Sequence, residues 1–228
     1  MKNSNEKNMT LTEKAARDVL TLIEKNKYSI GDKIPTEGEL SQLLNVGRNT
    51  MREALKVLAS RNILTIKQGS GTFISEKLGK VEDPFGFRFY PDRDKLTEDL
   101  LEVRRIIEPK IAALAAENAT KSDIKKLKKI LISMEKLIEN NQDFSQLDME
   151  FHKEIANCTK NEVMTNLIPV ITRGVAVFSK AVKIQERRQT IKSHRAIFEA
   201  ISNKKSVDAE NAMLYHLLFN RERYREGK

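Results

Sequence analysis

At 228 residues the chain has room for two small domains, and 39% hydrophobic with 32% charged residues allow a packed core and exclude a disordered chain. Its longest apolar runs, such as IAALAA, fall far short of the ~20 residues of a membrane-spanning helix, and the opening MKNSNEKNMT lacks the apolar segment of a secretory signal. One cysteine, Cys158, rules out an internal disulfide framework and fits a reducing compartment, so the composition favours a soluble cytoplasmic protein.

The net charge of +9 is densest at the start. Residues 1–80 hold 14 Lys and Arg against 9 Asp and Glu, and residues 81–228 hold 27 against 23, which points to a polyanion partner for the first part. Thr10 and Glu13 form a capping box ahead of LTEKAARDVLTLIEKN, whose apolar spacing is helical. YSIGDKIP ends that helix. Thr36 and Glu39 repeat the box and open a short helix, EGELSQLL. Asn45 and Gly47 make the turn into a third helix, RNTMREALKVLASRN, with Met51, Leu55 and Leu58 on one face and Arg48, Asn49 and Arg52 off it. ILTIKQGSGTFIS then reads as a β-hairpin with glycine at its tip.

Residues 77–96, rich in Pro, Gly and mixed charge, read as a linker with one helical turn near FGFRF. From there almost everything has helical periodicity, with helices expected at about 97–119, 121–139, 143–157, 161–184, 187–203 and 205–223. Pro169 is expected to kink the fourth of these. The expected fold is therefore mainly α: a winged helix-turn-helix over residues 1–76 and an all-helical bundle over residues 97–228.

In a winged helix the third helix enters the major groove. Arg48 and Arg52 suit guanine edges or phosphate, and Asn49 suits adenine. Lys67, Gln68, Gly69 and Ser70 at the wing would hold phosphate or reach the minor groove. The run GDKIPTEGELSQLLNVGRNTMREALKVLASRNILTIKQGSGTFIS resembles the DNA-binding domain of the GntR family of bacterial transcription regulators. The shared positions include Pro35, Glu37, Glu39, Leu40, Val46, Arg48, Arg52, Glu53, Ala54, Leu55, Gly69, Gly71 and Thr72. Two positions depart from the family pattern: Gly38 stands where the family has a DNA-contacting Arg, and Gly47 where it has a Ser cap. Both remove a side chain from the DNA face, which implies a shifted operator preference or weaker binding.

All three histidines lie in the helical half, each within an apolar-periodic helix: His152, His194 and His216. Asp148 and His152 are four apart and share a helix face. One carboxylate and three imidazoles from three helices suit a borderline divalent ion, although each histidine alone reads more readily as a satisfied core or surface residue. This half resembles the FCD effector domain of FadR-type GntR regulators, through DLLEVRRIIEPKIAALAAENAT, DMEFHKEIANCTKNEVM, SHRAIFEAI and MLYHL. The resemblance implies Asp148, His152, His194 and His216 as ligands of a divalent ion, with Zn favoured over Ni or Mn. It also implies that Arg104 faces an effector pocket, where its guanidinium would capture a carboxylate; an ion pair with Glu108 one turn away is the rival reading. Cys158 reads as a small buried hydrophobe.

The combined expectation is a homodimeric repressor that binds operator DNA and responds to a small organic acid held on a metal ion. Two other readings compete with it. An Asp and three His with open coordination positions could activate water in a hydrolase, though no further general base stands out. Alternatively, the helical half only dimerises and its histidines are core.

Overall fold

The computed structural model describes residues 9–77, 79, 83–178 and 184–226. The first eight residues, linker positions 78 and 80–82, and residues 179–183 at the end of the expected fourth effector-domain helix lie outside the described residues. The chain divides into two units, residues 1–82 and 83–228.

The first unit contains α1 (Leu11–Lys25), α2 (Glu37–Leu43), α3 (Arg48–Ser60) and the antiparallel pair β1 (Leu64–Lys67) and β2 (Gly71–Ile74). Both expected capping boxes form, so the side chains of Thr10 and Thr36 satisfy helix-start amides and Glu13 and Glu39 reach back to the cap. α3 starts at Gly47 with no side-chain cap, and Asn45 makes the preceding turn at φ 50°. Val19, Leu40, Met51, Leu58 and Leu64 form the core between the helices and the wing. Register pairs Leu64 with Ile74 and Lys67 with Gly71, leaving Gln68–Ser70 as the tip. Ile34 N–H donates to the Thr72 carbonyl and Ile74 N–H to that of Asp32, which ties the wing to the segment before α2. Gly71 has φ 117°, a conformation that favours glycine, and the Lys33 side chain packs close over it.

The second unit opens with a 3-10 turn at Phe87–Phe89, where the Asp83 carboxylate accepts from the amides of Phe87 and Arg88. α4 (Arg93–Asn118) begins four residues before the expected start because Asp92 caps it, accepting from Lys95 N–H at 2.9 Å. α5 (Lys121–Glu139), α6 (Ser145–Cys158), α7 (Glu162–Phe178), α8 (Ile184–Ser202) and α9 (Ser206–Glu226) follow. Asn161 caps α7 through its side-chain oxygen. α4 packs against α6, α7, α8 and α9, and α5 against α6 and α8, around Leu127, Met134, Phe151, Ile155, Ile197, Ile201 and Met213. Inside this apolar bundle a polar island is buried: Arg104, Glu108, His152, Ser193, His194 and His216. Buried polar groups of this density are costly unless each finds a partner.

Candidate metal centre and nucleic-acid interface

The island is built from four helices, each presenting a pair one turn apart: Arg104 and Glu108 on α4, Asp148 and His152 on α6, Thr190 and His194 on α8, His216 and Asn220 on α9. Helical geometry puts residues i and i+4 on one face, so each helix delivers two groups to the same place. Ligand atoms of Asp148, His152, His194 and His216 all lie within 4.8 Å of one another. The imidazole rings are 4.3 Å (His194–His216), 5.2 Å (His152–His216) and 5.8 Å (His152–His194) apart, and Phe151 packs edge-on against His194 at 4.9 Å.

The outer ring nitrogens decide the protonation pattern. His194 Nδ1 lies 2.8 Å from the Thr190 carbonyl, which can only accept, so Nδ1 carries the proton. Ser193 Oγ donates to the same carbonyl at 3.0 Å and so accepts from His216 Nδ1 at 2.9 Å. His152 Nδ1 is 2.5 Å from Glu108 Oε2, off the line of a straight hydrogen bond. In a neutral ring each Nε2 is then a lone pair facing inward. His194 Nε2 sits 2.9 Å from Asp148 Oδ1, so a proton on that nitrogen would go to the carboxylate, and in the neutral ring with Nδ1 protonated both atoms are free to ligate. His152 Nε2 is buried with no hydrogen-bond partner, and His216 Nε2 meets only the Asn220 amide, at 3.0 Å. Three lone pairs and a carboxylate converging in a buried space fit a borderline divalent cation, and the outer anchors are the partners such ligands require.

Electrostatics point the same way. Burial, then the neighbouring His194 and His152, push the His216 pKa well below the ordinary imidazole range against the pull of Asp148, which favours the neutral, ligating form. Burial raises the Asp148 carboxyl, but the hydrogen bond and charge of His194, then His152 and His216, outweigh it and hold the group well below its usual range. Burial likewise opposes ionisation of Glu108, yet Arg104 and then His152 bring it down to about 2. At the far end of α6, burial pushes the Cys158 thiol up to about 12.

Arg104 makes the ion pair with Glu108 that the sequence suggests as a surface contact, but makes it inside the bundle: Nε lies 2.5 Å from Oε1 and the side chains are 4% and 2% exposed. Its charge also acts on Asp148, so it lies close to the cluster while bound to Glu108. Sequence reading missed Glu108 as a partner of His152, and also Thr190, Ser193 and Asn220. Thr190, Asn220 and Glu108 each sit one turn from a residue already singled out, and that spacing was the available signal.

In the first unit Arg48, Asn49 and Arg52 are exposed on α3, and Lys67, Gln68, Gly69 and Ser70 are exposed at the wing. Lys67 Nζ lies 4.9 Å from the centre of the Phe73 ring. Arg52 forms a two-pronged pair with Glu37 on α2, at 3.1 Å from Nε and 2.9 Å from Nη2. The side chain missing at Gly38 leaves open space: a Cβ there meets nothing within 4 Å.

A three-helix unit with a β-wing and exposed Arg, Asn and Lys, joined to a helical bundle around a histidine cluster, defines a DNA-binding transcription regulator. Comparison with known proteins makes the class specific. Residues 11–74 match the bacterial regulatory proteins of the gntR family and residues 99–219 match the FCD domain, and the chain belongs to this family. It is 33% identical over 201 residues to the Uxu operon regulator of Haemophilus influenzae, covering 83% of this chain and 73% of that one. It is 31% identical over 231 residues to the galactonate operon transcriptional repressor of Escherichia coli, covering 96% and 99%. The solved structure of Streptococcus agalactiae GntR matches with a TM-score of 0.80 at 40% identity, covering 92% of this chain and 99% of that one. These relatives are regulators, not enzymes.

Proposed function

We propose that the protein is a cytoplasmic, homodimeric repressor whose helical domain holds a divalent cation, zinc before nickel or manganese, and on it a small hydroxy acid. The observation that carries this reading is the convergence of one ligand atom each from Asp148, His152, His194 and His216 within 4.8 Å of one another, with His152 Nε2 and His194 Nε2 buried and lacking a well-formed hydrogen bond. Asp148, His152, His194 and His216 would hold the ion, which when bound supplies a Lewis-acid anchor for a carboxylate. Arg104 would add positive charge beside the bound acid. A relative named for a galactonate operon supports this ligand class, since galactonate is a 2-hydroxy carboxylate.

Arg48, Asn49 and Arg52 would read base edges and Lys67, Gln68, Gly69 and Ser70 the backbone and minor groove. Two copies would place two recognition helices on a palindromic operator. The acid switches DNA binding only through unequal affinity for two arrangements of the dimer.

Metal content of tag-free protein, followed by operator release with galactonate before and after chelation, tests the reading. Near-stoichiometric metal and loss of the galactonate response on chelation are expected. Metal-free protein that takes up no zinc on titration would sink it.

A further inference from the structure

α4 supplies none of the four ligand atoms, yet it sets a buried carboxylate against the cluster. Glu108 is 2% exposed, deep in a bundle where an isolated charge would cost several kcal/mol. Arg104 holds mainly one oxygen, with Nε 2.5 Å from Oε1, and reaches the other only at the long distance of 3.5 Å, from Nη2 to Oε2. The second oxygen, Oε2, is turned to His152, 2.5 Å from Nδ1.

A neutral imidazole has one proton for two nitrogens, and the nitrogen that keeps it cannot bind a cation. His194 is held by the Thr190 carbonyl and His216 by the Ser193 hydroxyl. His152 has neither, and both of its nitrogens lie inside the protein. We propose that Glu108 is the positioning carboxylate of the metal centre: it draws the proton of His152 onto Nδ1, leaves Nε2 as a lone pair aimed at the cluster, and is itself kept in the bundle by Arg104. Of the three outer anchors it is the one with a full charge, and it raises the donor strength of its imidazole more than a carbonyl or hydroxyl does. The inference rests on the metal reading above and assigns Arg104 a structural duty in addition to any contact with the bound acid.

The test uses the full chain and zinc alone. Competition against a chromophoric chelator is expected to show zinc bound about 10- to 100-fold more weakly by Glu108→Gln than by the original protein. Nitrogen-15 spectra of the metal-free original protein are expected to show His152 with its proton on Nδ1, and Glu108→Gln to shift it toward Nε2 while His194 and His216 stay unchanged. The spectrum of the original protein decides the matter even where the variant folds poorly, and His152 protonated on Nε2 overturns the proposal. Zinc binding by the original protein with unchanged affinity in a folded Glu108→Gln also overturns it, and leaves the metal reading standing. An original protein that binds no zinc removes both.

Discussion

Two of the Arg–Glu pairs among the described residues stand in opposite settings. Arg52 and Glu37 meet on the surface of the winged-helix unit, with side chains 53% and 30% exposed; Arg104 and Glu108 meet inside the helical bundle, at 4% and 2%. In water such a pair gains little over its hydrated partners, so the proposed exchange of Glu37 for a base or phosphate would carry a small cost. In the bundle, separating the partners strands a charge away from solvent. The exposed pair is cheap to separate and the buried pair is not. The reading surface can therefore be altered residue by residue, whereas the buried site stands or falls as a unit.

The sharpest way to break this contrast is to remove one acid from each pair. Glu108→Ala is expected to destabilise the helical domain by about 3–5 kcal/mol, and Glu37→Ala to leave stability nearly unchanged, as followed by urea unfolding. Equal losses would dissolve the distinction. Next in size, His194→Ala is expected to weaken zinc binding by more than the ~100-fold typical of losing an outer partner, with operator affinity retained; chelator competition and mobility shifts read the two sides.

Acid should separate the regions too. Glu108 and His216 both have folded-state pKa values below their ordinary ones, so the unfolded chain binds more protons in acid. Stability from His216 is present above about pH 6.5 and is lost as pH falls below it; that from Glu108 is present above about pH 4.5 and is lost toward 2. The depressed carboxyls of the first unit, Glu13 and Glu39, are fully exposed caps and contribute far less. Metal-free protein followed by helix signal against pH is thus expected to lose its effector domain first.

On the DNA side, Arg52→Ala is expected to weaken operator binding by about 5- to 150-fold at fixed salt, measured by mobility shift. The smallest effect is a gain. Gly38→Arg puts a cation where the structure leaves open space, and is expected to tighten binding a few-fold and steepen the salt dependence by about one counterion.

What the sequence disclosed follows the range of each interaction. Capping boxes at Thr10 and Thr36, the turn at Asn45 and the wing are local, and spacing alone revealed them. The face shared by Asp148 and His152 was equally readable, but its union with His194 and His216 needed a family resemblance because it joins three helices. The role of Glu108 stayed hidden because the group it serves lies 44 positions away on another helix, and periodicity within α4 pairs it only with Arg104. The start of α4 was misplaced because Asp92 sits in a stretch whose prolines and charges argued for a linker.

The sealed thiol of Cys158 carries a practical and biological consequence. It is fully buried, is the only sulfhydryl in the chain, and is held protonated far above neutral pH, so peroxides and alkylating reagents find no thiolate to attack. A cysteine introduced at the wing would also be the sole reactive handle on the native background, ready to carry a fluorophore that reports DNA engagement directly.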